Sequence, residues 1–252
     1  MFETAANVVY GAAMIMTLIM IYHVKTKYTA VGRKEMAMFF GLYFLSTLTE
    51  ILLISSSIPI ASPVYPWIAA LQMGLISGTI WCLFINGLIS FQFFEDGTKK
   101  SLWAFCISTM AVIAGVLTIS IFTFESPNHR TYQTILWFFY FVFNGACILL
   151  YLISQLIFLL KIMRDRWALG CLLSATLFFC IGQLILYTAS NSLCKLADHY
   201  IDGVFFGALC TLLAVMMLYK YWDSITREDL EFSVGSPSLP DWSVDKKGYS
   251  YA

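Results

Sequence analysis

Charged side chains are scarce in this chain. Asp, Glu, Lys and Arg make up 12% of its 252 residues, about half the share of an ordinary soluble domain, while 60% is hydrophobic and 17% aromatic. Basic and acidic residues balance at 15 each, so no net basic field is available to hold nucleic acid. Histidine is rarer still: His23, His129 and His199 fall in separate connections, too dispersed for a metal-dependent membrane hydrolase. The run from Asp198 to Asp202 could join His129 at zinc, but it has no ligand-spacing signature, and Asp202 reads equally as a helix N-cap before Gly203. There is no phosphate-cradling glycine loop, no nucleophile elbow around any Ser or Cys, and no lysine midway along the last apolar segment to hold a retinal-type Schiff base. No catalytic residue, metal or cofactor is therefore expected. Also missing are an Asn-x-Ser/Thr acceptor and a basic n-region after Met1, so the first apolar segment is expected to insert uncleaved. Six of the seven cysteines lie inside apolar runs and only Cys194 in a connection, which argues against a disulfide framework.

What the chain has in abundance is long apolar runs. Mean hydropathy is +0.77. The run 67–94 holds 28 residues without a charge, more than the roughly 20 that cross a bilayer core at about 1.5 Å per residue. Hydropathy predicts seven spans, at 5–22, 36–58, 67–94, 102–124, 134–160, 168–189 and 203–221, with short polar connections. The expected fold is an all-α, polytopic bundle of seven transmembrane helices over 1–221, followed by a tail, 222–252, whose distal Gly, Ser and Pro content reads as disordered.

Orientation follows from the basic residues. The first, third and fifth connections and the tail carry Lys25, Lys27, Arg33, Lys34, Lys99, Lys100, Lys161, Arg164, Arg166, Lys220, Arg227, Lys246 and Lys247, against only Arg130 and Lys195 on the other side. The positive-inside rule puts the N-terminus outside or in a lumen and the tail in the cytosol. Trp67 and Trp137 then fall at lumenal ends, and Trp103, Trp167 and Trp222 at cytosolic ends, where indole rings prefer the headgroup level.

Two features stand out within the spans. Small residues recur at helical spacing as Ala70, Gly74 and Gly78 in the third span and Gly203 and Gly207 in the seventh. Such faces let helices approach closely in lipid, either inside the bundle or against another membrane protein. Glu50 is an ionisable group deep in a span, and Gln72 and Gln183 lie at comparable depth, so the three could form a buried polar cluster serving as structural glue or as an ion or proton pathway.

Several stretches together resemble the fungal chitin synthase export chaperone family. They are Lys27-Tyr28-Thr29-Ala30-Val31-Gly32-Arg33, Gln72-Met73-Gly74-Leu75 with Trp81, the loop Glu95-Asp96-Gly97-Thr98, and Gly182-Gln183 with Leu186-Tyr187. Cys194 with the run from His199 through Asp202 to Gly207 follows, then the run from Tyr219 to Asp223 and the run from Glu228 to Phe232. The resemblance implies a binding function without catalysis: an endoplasmic reticulum membrane chaperone that escorts a polytopic chitin synthase catalytic subunit out of that compartment, with onward travel beside it to the plasma membrane as a further expectation. Asp229-Leu230-Glu231 has the acidic-x-acidic form that vesicle-coat adaptors read. Members commonly carry an N-terminal lumenal extension with a cysteine pair, whereas only a few residues here precede the first span, so its role is not carried over. The alternative from another class is a small-solute or proton transporter built on Glu50, Gln72 and Gln183, although no internal repeat supports it.

Overall fold

The computed structural model describes residues 2–28, 30, 32–55, 58–59, 61–89, 99–125, 129–163, 165–189 and 203–234, with the side chains at 2–4, 99, 129–130, 189 and 227–234 outside that description. Seven helices account for nearly all of them. α1 is Phe2–Thr26, α2 Arg33–Ile54, α3 Tyr65–Ile89 and α4 Lys99–Glu125. α5 runs continuously over 129–163, α6 over 166–189, and α7 is Gly203–Val234. All seven are long and apolar enough to cross a membrane.

The helix ends follow ordinary capping chemistry. Gly32 takes the left-handed φ of 68° that turns the chain into α2, and its carbonyl accepts from Met36 N at 2.9 Å. Asp165 caps α6, its carboxylate accepting from Trp167 N at 2.9 Å and Ala168 N at 3.3 Å. Pro66 sits in the first turn of α3, where its missing N–H costs nothing. His23 and Lys25 close α1, favourably placed against the carbonyl end of its dipole.

Side-chain contacts establish alternating helix directions. Along α3 and α4, Trp81 donates to Ser108, Gly78 meets Ile113, and Ser120 approaches Met73, an antiparallel ladder. Between α3 and α5 the pairs Ser77–Asn144 and Gly87–Gln155 run in the same direction. Asp165–Ser224 at one end and Gly182–Gly207 at the other make α6 and α7 antiparallel. Alternate connections therefore share one end of the bundle, as the counting of basic residues requires.

Two expectations change. α7 does not end at 221: Trp222, Asp223 and Thr226 are buried, so the packed bundle extends past the boundary assigned to a tail. The Ala70, Gly74 and Gly78 face is not open to a partner, because α4 fills it. A Cβ on Gly78 would lie 2.3 Å from Ile113 Cγ1, and one on Gly74 would lie 3.0 Å from the Ile113 carbonyl oxygen, while Ala70 is fully buried. Gly207 is likewise engaged, 3.6 Å from Leu186 Cβ by the same measure, and Gly203 is buried at the start of α7. Without a hydrophobic drive in lipid, these small residues are consumed by the bundle's own helix crossings.

α5 and α6 are irregular. α5 contains π-helical turns at Phe138–Phe143 and Leu159–Met163, and α6 ends in one at Ile185–Ala189. Each inserts a residue into the helical register and rotates the side chains that follow, a feature common at functional positions. α5 packs on α3 and α4, and α6 on α7, while among the described residues α5 and α6 are the less closely packed neighbours. They meet through Tyr187, whose ring lies 5.5 Å from that of Phe141 and whose hydroxyl is hydrogen-bonded to Tyr140.

Candidate functional site

Polar side chains gather at two depths. The first group sits toward the end of the bundle where α2 finishes and α3 begins. Gln72, buried in α3, spans three groups on α2: it accepts from the Thr49 hydroxyl, donates to the Glu50 carboxylate, and approaches Ser46 Oγ at 3.3 Å. Tyr10 on α1 adds a second hydrogen bond to Glu50. A carboxyl approached by an amide and a phenol thus ties α1, α2 and α3 together. Thr49 and Ser46 lie one and four residues before Glu50, so one face of α2 supplies three members of the group. Separately, Tyr140 on α5 is hydrogen-bonded to Tyr187 on α6.

The sequence brought Glu50 and Gln72 into view, and the structure joins them. Gln183 is half-buried in α6 and makes no hydrogen bond to this group among the described residues. Equal depth in the bilayer did not mean equal azimuth: the neighbouring Gly182 faces α7, where its Cβ would come 2.8 Å from Cys210 Cβ. Tyr10 and Tyr140 escaped notice, and Tyr187 entered only with the family resemblance, because a tyrosine in an aromatic-rich span carries no depth signal of its own.

The second group closes the opposite end. Lys27, just past α1, pairs with Asp223 of α7, approaches Thr226 Oγ1 at 3.3 Å, and stands 5.6 Å from the centroid of the Trp222 ring. Arg33 lies over Tyr28 at 5.3 Å. Deeper in, Gln155 of α5 donates to the Gly87 carbonyl at 2.9 Å and accepts from Tyr221 at 2.5 Å, tying α3, α5 and α7 together. Asn86, Tyr151, Gln155, Tyr221 and Trp222 border a cavity of about 280 Å³ between these helices. Between the two groups, Asn144 donates to Ser77 at 3.1 Å.

Other positions singled out in the sequence fall outside the description. Glu95, Asp96, Gly97, His199 and Asp202 lie outside the described residues, as does Cys194. Asp229 and Glu231 belong to α7, but their side chains are not described. The six described cysteines are free thiols.

The two stretches joined by Lys27 and Asp223 are among those that carried the family resemblance. The family model described as chitin synthase export chaperone matches residues 1–236. The chain belongs to that family. A chitin synthase export chaperone of Cryptococcus neoformans is 46% identical over 246 residues, covering 96% of this chain and 68% of the relative. The export chaperones of Chaetomium globosum and Coccidioides immitis are 42% and 43% identical, covering 96% and 93% of this chain and 74% and 71% of theirs. No solved structure matches the chain. Within the family, then, the structure supplies a bundle whose small-residue faces on α3 and α7 are internally occupied and whose deep polar group joins α1, α2 and α3.

Proposed function

We propose that this protein is a membrane chaperone for chitin synthase, binding the polytopic catalytic subunit in the endoplasmic reticulum and releasing it for export, without catalysing a reaction. The observation that carries this reading is the match of the export chaperone family to residues 1–236 of a seven-span chain. The physical task suits such a bundle. Spans of a large client that hold polar groups or pack loosely are costly in lipid until assembled, because no water is present to satisfy them. A chaperone lowers that cost by covering them with its own helices. Asymmetry of basic residues favours a lumenal N-terminus and a cytosolic C-terminus. On that orientation Asp229 and Glu231 stand where coat adaptors could read them, and they serve as an exit signal for the loaded complex.

The test is complementation in a fungus whose own export chaperone gene has been deleted, following a fluorescent chitin synthase. Expression of this chain should move the label from the endoplasmic reticulum to the cell surface. Retention of the label despite normal membrane accumulation of this protein would overturn the proposal. Asp229→Ala with Glu231→Ala should slow delivery while leaving client binding intact.

A further inference from the structure

The cavity of about 280 Å³ beside Gln155 is bordered by no acidic or basic side chain. Much of its lining is apolar, from Leu83, Ile89, Phe158, Ile162 and Ile225, and the rest includes the amides of Asn86 and Gln155 and the phenols of Tyr151 and Tyr221. Gln155 is committed at both ends of its amide, to the Gly87 carbonyl and the Tyr221 hydroxyl. Tyr151 is different. It is only 6% exposed, its backbone carbonyl accepts from Ser154 at 2.7 Å, and its hydroxyl makes no hydrogen bond among the described residues. A Cβ on Gly87 would lie 2.7 Å from Tyr151 Cδ2 and 3.1 Å from Gln155 Nε2, so the bare backbone of α3 is what admits both side chains. The π-helical turn Leu159–Met163 brings Ile162 and Met163 to the same cavity, the kind of helix irregularity that recurs at binding sites.

We infer that this cavity binds an uncharged membrane lipid through a hydroxyl oxygen that accepts a hydrogen bond from Tyr151. A donor buried in a membrane span without a partner is costly, so the site favours a ligand oxygen that satisfies it. An ionised headgroup would have to shed its hydration and would meet no countercharge in the lining, which disfavours anionic lipids. Water alone is a poor filling: each molecule takes roughly 30 Å³ and needs two to four polar partners, which the apolar part of the lining does not offer. A hydroxyl on a hydrocarbon body matches both kinds of lining, in the mostly apolar, sparsely polar composition of ligand pockets between bundle helices. The dimensions agree, since Tyr151 and Met163 both border the cavity and lie about 18 Å apart along α5, against about 15 Å for the hydrocarbon of one leaflet. Sterols and diacylglycerols both carry this chemistry. The site stands apart from the chaperone reading and does not depend on it.

The experiment is photolabelling of the purified full-length protein in phosphatidylcholine nanodiscs with diazirine-bearing sterol, diacylglycerol or phosphatidylserine, the adducts being mapped by peptide mass spectrometry. The sterol or the diacylglycerol should label residues bordering the cavity, and the one that does so identifies the source of the hydroxyl. Excess unlabelled lipid of the same kind should abolish that labelling, and phosphatidylserine should not reproduce it. Tyr151→Phe keeps the ring and removes a hydroxyl that has no protein partner. It should leave the melting temperature unchanged and reduce labelling about fivefold, the scale of one hydrogen bond. Ile15 on α1 and Met110 on α4, 62% and 61% exposed, report ordinary contact with lipid. Labelling of the cavity by neither uncharged probe, equal labelling by phosphatidylserine, no preference over Ile15 and Met110, or indifference to Tyr151→Phe would each overturn the inference. Competition on the unsubstituted protein decides the matter even where the variant fails to fold.

Discussion

Lys27 and Asp223 are 196 residues apart in the chain and form an ion pair that fastens the end of the first helix to the last. Asp223 is buried, and the Lys27 ammonium that pairs with it also stands over the Trp222 ring. Removing Lys27 strands a buried charge, so Lys27→Met should cost about 1–3 kcal/mol, discounted from a fully buried pair because the site lies at the bundle end. The double variant Lys27→Met, Asp223→Leu should be more stable than Lys27→Met alone. Thermal unfolding in detergent measures both, and additive losses would mean that the pair is not coupled.

Gly78 tests whether the third helix's small face is internal. Its Cβ would fall 2.3 Å from Ile113 Cγ1, so Gly78→Leu should destabilise the protein by about 3 kcal/mol or more, with client binding lost only as a consequence of misfolding. Ile113→Ala in the same chain should recover part of the loss. Gly41→Ala, with nothing within 4 Å of the new methyl group, should be near neutral. A stable Gly78→Leu protein that selectively loses its client would restore the face to a partner-binding role.

The α6–α7 crossing gives an asymmetric expectation. A methyl group on Gly182 would lie 2.8 Å from Cys210 Cβ, whereas one on Gly207 would rest 3.6 Å from Leu186, an ordinary contact. Gly182→Ala should therefore lower the melting temperature clearly and Gly207→Ala barely. Equal effects would contradict the crossing geometry.

Gln72 is the hub of the deep polar group. Gln72→Leu leaves the Thr49 hydroxyl without its acceptor on α3 and Glu50 without its amide donor, a loss of about 1–3 kcal/mol. Thermal unfolding reads the loss, and a stabilised variant would show that α2 and α3 pack better without these hydrogen bonds.

The seven helices were legible because lipid imposes one rule on every span: long, apolar and internally hydrogen-bonded. Depth was legible too, which is why Glu50 and Gln72 were linked before their contact was visible. Azimuth was not. Whether Gly74 faces Ile113 or a partner, and whether Gln183 turns toward Glu50 or away, depends on how helices rotate about their axes, and hydropathy is blind to that rotation. Lys27 was counted with the first connection and Asp223 fell in the tail, and their pairing was not legible because nothing local links positions so far apart. The end of the packed bundle was set too early because Trp222 looked like an interfacial ring, although it and Thr226 are buried.

The most direct measurement is mild-detergent isolation of the tagged full-length protein from fungal membranes, with mass spectrometry of what co-purifies. A chitin synthase catalytic subunit should be the dominant integral-membrane partner, enriched at least tenfold over an unrelated multispan control. A clean isolation of folded protein in which chitin synthase is no more enriched than in that control would contradict the chaperone function.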